Sequence, residues 1–221
     1  MKTALIIGAS GGIGGAICDR LAAQRVAVTG LSRSQDGFDL TRPEVALARL
    51  DDLQGPFDLV LVASGALEIN GAQPEKTMRA VTSRAMMDQY ALNTVGPALI
   101  LGRAHRLLPR DRRSVIAVLS ARVGSIGDNR MGGWVSYRAA KAAVNQVVHT
   151  ASIELARTHK QAICVALHPG TVKTEFTRKY LGRHPAVAPE EAAENLLHVM
   201  GALTQDDTGG FFDWAGKRVP W

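Results

Sequence analysis

The chain alternates short, mostly apolar runs with longer stretches in which apolar residues return every three or four positions. Residues 3–7, 26–33, 57–63, 114–120 and 162–167 are the short runs. Apolar side chains at successive positions leave no strand face for water, so these runs predict strands of a parallel sheet covered on both sides. Between them the spacing becomes helical. Ile13, Ile17, Leu21 and Ala22 share one face after the first run, and residues 43–53 form a second helix with Thr41 as its cap and Pro43 in its first turn. Residues 74–108 read as two helices broken near Thr82 and Ser83. Pro97 in the second removes a helix hydrogen bond and predicts a kink one turn upstream, where Asn93 could hold a water or be an ordinary helix asparagine. A long helix runs to residue 158 on Ala142, Ala143, Val147, Val148, Ile153 and Leu155, and a last one spans 189–203, with Glu190 and Glu191 at its dipole-favoured start. Brief strands at 37–41 and 209–214 complete an alternating order that calls for an α/β fold.

Composition narrows this picture. At 221 residues the chain suits one domain with one sizeable core. It has no apolar run of about eighteen residues, and Lys2-Thr3 leads straight into a strand, so a soluble, cytoplasmic protein is expected. Cys18 and Cys164 sit in apolar periodic segments and read as small buried hydrophobes. No cluster has metal-ligand spacing, so no metal is expected. The net charge of +6 is moderate, and its densest basic group (Arg103, Arg106, Arg110, Arg112, Arg113) lacks interleaved aromatics, which argues against a nucleic-acid partner.

Candidate chemistry lies at the ends of the predicted strands. Gly8, Gly12 and Gly14, with Ser10 and Ile13 between them, form a turn from the first strand into the first helix. Such a turn aims backbone N–H groups and the positive helix end at a phosphate, which points to a dinucleotide. The second strand ends in Ser32-Arg33, where an acid would bind ribose hydroxyls and a guanidinium a 2′-phosphate; NADP is expected over NAD. Ser64-Gly65 follows the fourth predicted strand, residues 57–63, and allows close backbone approach to a cofactor. Tyr137 and Lys141 lie four apart on the long helix, so they share one face, and an adjacent ammonium makes a phenol usable as an acid or base. Residues 174–188 are polar, basic and aromatic without steady periodicity, a segment placed to cover the site.

With these pieces assembled, the chain resembles the short-chain dehydrogenase/reductase family over essentially its whole length. The resemblance rests on Gly8/Gly12/Gly14, the Asp39 region, Asn93, the strand ending at Ser120, Tyr137/Lys141, and Pro169-Gly170 followed by Thr174. Residues 120–126 and 134–138 look like its small carbonyl-reductase branch, which includes C-factor-like proteins. The resemblance implies a single doubly wound Rossmann-type domain over residues 1–221, with a seven-stranded parallel sheet in the order 3-2-1-4-5-6-7 and helices on both faces. It implies that Tyr137 is the general acid/base, that Lys141 lowers its pKa and holds the nicotinamide ribose, and that Asn93 keeps a relay water. Ser120 would polarise the substrate carbonyl. Asp39 and Leu40 would border the adenine, and Thr174 with the backbone of Val172 would face the carboxamide.

Two departures stand out. Val62-Ala63-Ser64-Gly65 replaces the family's Asn-Asn-Ala-Gly, and Ala121 occupies the place of its catalytic serine. Ser120, one position early, would point to the opposite face of an ideal strand. Either the strand end is bulged so that Ser120 turns inward, the favoured reading, or Ser125 substitutes, or the carbonyl lacks one donor. The expected protein is an NADPH-dependent carbonyl reductase acting on an aldehyde or ketone, a homodimer or homotetramer in solution. The alternative is an NADP-binding signalling or interaction protein with vestigial catalysis.

Overall fold

Six parallel strands form the sheet: β1 (Thr3–Ile7), β2 (Ala27–Leu31), β3 (Leu59–Val62), β4 (Ser114–Leu119), β5 (Ala162–His168) and β6 (Phe211–Asp213), in the spatial order β2-β1-β3-β4-β5-β6. The computed structural model describes residues 1–181 and 185–221. Successive side chains of a strand point to opposite faces, and both faces are filled. Leu5, Ile7, Val60, Val62, Ile116 and Val118 pack on one side with Ile100, Val144 and Val148. Ala4, Ile6, Leu59, Leu61, Val115 and Ala117 pack on the other with Ile17, Leu21 and Leu196. Each Val, Leu or Ile among them contributes about 1.5–3 kcal/mol when fully buried. This two-sided burial is why the strand runs contain almost no polar residue.

The sheet has six strands and not the expected seven. Residues 37–41 carry the side-chain pattern of a strand, for Phe38 and Leu40 are buried. Their backbone, however, makes no ladder. After α1 (Gly12–Ala23) and β2 comes a single-turn helix, α2 (Arg33–Asp36), capped by the Ser32 hydroxyl and stopped by Gly37 at φ 67°. The Phe38 N–H then donates back to Ser32 O. Asp39 accepts from the Thr41 N–H and hydroxyl, so Thr41 does not cap the next helix, α3 (Pro43–Asp51), whose N-cap is Arg42 without a side-chain bond.

The region read as two helices over 74–108 is also redistributed. Its first part holds only a 3-10 turn, Met78–Ala80. Then come α4 (Ser83–Tyr90), capped by Thr82, a π-helical turn over Ala91–Val95, α5 (Gly96–Leu101) and α6 (Ala104–Leu107). The wide turn lies where Pro97 predicted a distortion: its missing N–H would have bonded the Asn93 carbonyl four residues back. α7 (Val135–Thr158) is the long helix, and α8 (Pro189–Ala202) packs on α1 across the other face. Among the described residues no helix is long and apolar enough to cross a membrane.

Candidate active site

Tyr137 and Lys141 stand one turn apart near the start of α7, and only 6% and 4% of each is exposed. The Lys141 ammonium lies 5.7 Å from the Tyr137 ring centroid and donates to Leu119 O at 2.9 Å. Burial pushes the phenol above its ordinary value and pulls the amine down to about 8. The expected lowering of the phenol by its neighbour is thus outweighed by desolvation in this structure, and Tyr137 is protonated at neutral pH. α7 is held tightly at this point. Thr94 Oγ1 donates to Ala140 O at 2.8 Å, and a Cβ on Gly124 would lie 2.8 Å from the Lys141 carbonyl carbon, so the 3-10 turn Arg122–Gly124 rests on the helix backbone.

Asn93, fully buried in the π-helical turn, reaches the same place from the other side. Its Nδ2 donates to Ala66 O at 2.9 Å and to Gln89 Oε1 at 2.6 Å, and its Oδ1 accepts the Ala66 N–H at 3.3 Å. A Cβ on Gly65 would meet Asn93 Oδ1 at 2.8 Å and Lys141 Nζ at 3.6 Å. Gly65 therefore sits between the two, and the structure brings Asn93, Gly65, Lys141 and Tyr137 into one group.

The glycine turn makes a second group. Gly8 has φ 91°, and a Cβ on Gly14 would lie 2.1 Å from Gly8 O. On Gly12 it would meet Thr174 Cγ2 at 2.6 Å, which brings Thr174 over the turn. Ile13 anchors α1 in the core, while Ser10 accepts from the Ser34 hydroxyl at 2.9 Å, tying the turn to the end of β2. Arg33 opens α2 and is exposed beside it. The only carboxylate of α2, on Asp36, is turned back to accept the Ser32 N–H at 2.8 Å. Ser64 Oγ, buried at the end of β3, has no protein partner. A glycine turn too tight for side chains at the start of α1, a buried hydroxyl without a partner among the described residues and an exposed guanidinium at the end of β2 fit a phosphorylated dinucleotide.

Other expected residues are placed as follows. Asp39 spends its carboxylate on Thr41, and Leu40 is a core residue packed on Gly96. Pro169 and Gly170 follow β5, Gly170 at φ 78° against the Trp214 indole. The Val172 carbonyl accepts the Thr177 hydroxyl. Among the described residues, neither serine hydroxyl is hydrogen-bonded to Tyr137, Lys141 or Asn93. Ser120 Oγ donates to Asn145 Oδ1 at 2.6 Å, and Asn145 lies two turns beyond Tyr137, about 12 Å of helix rise. Ser125 Oγ donates to Pro220 O and accepts the Asp128 N–H at 3.1 Å.

Several wall residues escaped the sequence reading. Leu67, Ile69, Pro74, Glu75 and Gln89 line a recess with Tyr137. Trp134 packs edge-on to Tyr137 and Tyr180, with ring centroids 6.4 and 5.4 Å apart, and Phe176 lies 6.3 Å from Tyr137. The covering segment is fastened there: Tyr180 Oη and Lys179 Nζ both donate to Glu68, at 2.6 and 2.7 Å. Burial, and then Glu68, push the Tyr180 phenol up to about 12. These residues are far apart in sequence, and only the partial apolar character of 66–69 hinted at a wall.

Residues 39–183 match the family model described as short chain dehydrogenase. The chain is 29% identical, over 237 aligned positions covering all of both chains, to 1-hydroxy-2-glutathionyl-2-methyl-3-butene dehydrogenase of Rhodococcus sp. (strain AD45). It is 31% identical to C-signal of Myxococcus xanthus over 140 residues, 62% of this chain and 78% of that one. Among solved structures, NADPH-bound carbonyl reductase from chicken fatty liver superimposes with a TM-score of 0.84 at 23% identity, covering 100% of this chain and 94% of that one. A short-chain dehydrogenase/reductase from Burkholderia multivorans with bound NADP does so at 0.81 and 25% identity, covering 100% and 99%.

The buried amine carries a pH signature. A lysine at about 8 in the folded chain, against about 10.4 unfolded, binds fewer protons folded than unfolded between those values, so its contribution to stability rises with pH there. The melting temperature of Lys141→Met relative to wild type is expected to be most favourable near neutrality and to lose that advantage as pH climbs through this window. Thermal melts across it check this; a constant difference would rule out the buried ammonium.

Proposed function

The chain belongs to the short-chain dehydrogenase family, and on that premise we propose that it reduces an aldehyde or ketone with NADPH. The observation that carries this reading is the buried group of Tyr137, Lys141 and Asn93 around Gly65. NADPH supplies the hydride when bound. Tyr137 Oη gives its proton to the carbonyl oxygen; burial opposes that release, and the Lys141 ammonium, 5.7 Å from the ring centroid, eases it. Lys141 Nζ holds positive charge behind it, and Asn93, across Gly65, keeps a water through which the phenol is reprotonated. The turn of Gly8, Gly12 and Gly14 would hold the pyrophosphate, Ser64 and Gly65 would border the ribose, and Thr174 lies over the turn. Leu67, Ile69, Pro74, Trp134 and Phe176 give the carbonyl compound an apolar wall, which favours a small substrate with an apolar body.

NADP preference is supported by Arg33 and by the withdrawn Asp36 carboxylate, and by the NADP bound to the Burkholderia multivorans structure. A homo-oligomer is supported by the exposed Val95 and Ile153 on the helical face of the sheet; light scattering that finds only monomers at micromolar concentration would remove it. A second reading, NADP binding with vestigial catalysis, is favoured by one observation, the commitment of the Ser120 hydroxyl to Asn145 beside Ala121. C-signal is among the relatives.

NADPH consumption over a panel of small aldehydes, ketones and quinones separates the two readings. Tyr137→Phe is expected to lower kcat/KM by more than about a hundredfold, whereas Ser120→Ala, its hydroxyl already occupied, lowers it by less than about threefold. A loss above tenfold in Ser120→Ala would return that serine to the carbonyl, and binding of NADPH without turnover on any substrate would favour the second reading. Arg33→Asp is expected to weaken NADPH binding by at least about tenfold while leaving NADH within about twofold; equal loss for both in a fluorescence titration would cancel the NADP assignment.

A further inference from the structure

The helix that carries Tyr137 begins without a cap of its own. Trp134, just before it, has a left-handed backbone (φ 51°, ψ 40°) and offers no side-chain hydrogen bond, although a helix leaves its first N–H groups without partners. The partner comes from a different part of the chain. Glu75, only 6% exposed, accepts the Ser136 N–H at 3.1 Å on Oε2 and the Ser136 hydroxyl on Oε1. Its main-chain oxygen accepts the Trp134 N–H.

A carboxylate so deeply buried is costly unless its oxygens are satisfied, and here they are satisfied by the first turn of α7. Burial raises its pKa, but the Ser136 hydroxyl, its own backbone N–H and the Ser136 N–H together outweigh this and hold the carboxyl below its ordinary value. The charge also sits at the positive end of a 24-residue helix. Tyr137 is the next residue along, and it shares a recess with Glu75. The Glu75 clamp therefore fixes the backbone of the first turn of α7 just before Tyr137, and the Trp134 ring packs edge-on to the Tyr137 ring itself.

We propose that Glu75 is a positioning residue for Tyr137: by gripping Trp134 and Ser136 it sets the direction of the phenol toward the reacting carbonyl. It does not touch the reacting atoms. Proton transfer needs the hydroxyl within hydrogen-bond reach of the carbonyl oxygen, and small misplacements lower the rate. The kinetic part of the inference rests on the reductase reading; the structural part does not.

Two measurements test it. Turnover of the holoenzyme with NADPH and a panel of small aldehydes gives kcat and KM, and hydrogen–deuterium exchange over residues 133–141 reports the start of α7 without substrate. Glu75→Ala is expected to lower kcat at least about tenfold, to leave KM for NADPH within about twofold, and to speed exchange. Glu75→Gln is expected to stay within about threefold of wild type in kcat, with exchange preserved, because its amide oxygen accepts the Ser136 N–H and its NH2 donates to the Ser136 hydroxyl. Unchanged exchange in Glu75→Ala overturns the inference, as does a loss confined to KM for NADPH or a Gln variant no better than Ala. If Glu75→Ala does not fold, Ser136→Ala replaces it: faster exchange and a kcat reduced more than about twofold support the clamp, and wild-type values of both overturn it. Should the wild type turn over nothing on the panel, the reductase reading falls while the exchange arm still decides for or against Glu75.

Discussion

An ammonium group with almost no exposure to water is the constraint on which the site depends. Lys141 Nζ is held by the Leu119 carbonyl at the end of β4 and faces Gly65 at the end of β3, with Asn93 just beyond. A buried charge survives only where dipoles and partners replace its lost water. Four elements must therefore meet at one point: the ends of β3 and β4, the widened turn made by Pro97, and α7. Gly65 and Gly124 lack side chains where these elements touch, and added Cβ atoms there would collide with Asn93 or with the α7 backbone. The same packing removes water from Tyr137. One close meeting of backbones thus sets both the fall in the amine and the rise in the phenol.

Most of the fold was legible because its cause is local or periodic. The strand runs are apolar at every position since both sheet faces are covered, and the glycine turn, Pro97 and Pro189 act on their own neighbours. The reading failed where side-chain pattern and backbone pairing part company. Phe38 and Leu40 alternate like a strand because they fill the core beside α3 and α5, but Gly37 turns the backbone away from β2 before a ladder can form. Likewise, Thr41 looked like a cap because it precedes a proline, yet Asp39 takes its hydroxyl first.

The site was legible in proportion to how close its members lie in sequence. Tyr137 and Lys141 are one turn apart on one helix, so helical spacing alone pairs them. Glu75 and Ser136 are 61 residues apart, and Glu68 lies 112 residues from Tyr180; no periodicity links such pairs, and a lone glutamate in a loop reads as solvated. The serine question has the same origin. Alternation along β4 could say that Ser120 and Ala121 face opposite ways, but not that Asn145 waits on the Ser120 side.

That serine arrangement bears on direction. If the Ser120 hydroxyl is engaged elsewhere, the charge that develops on a carbonyl oxygen during hydride transfer falls mainly on the Tyr137 proton. On the proposed reductase reading, a phenol raised by burial carries that proton throughout the neutral range but releases it reluctantly, so the release depends on the Lys141 charge beside it. Oxidation would need the phenolate, which the same burial disfavours until other positive charge enters the site. The packing that fixes α7 through Glu75, Thr94 and Gly124 then matters more, because a lone donor has no second group to correct its aim. On the proposed reductase reading, carbonyls that already accept hydride readily, such as aldehydes, would need the least help from a second donor.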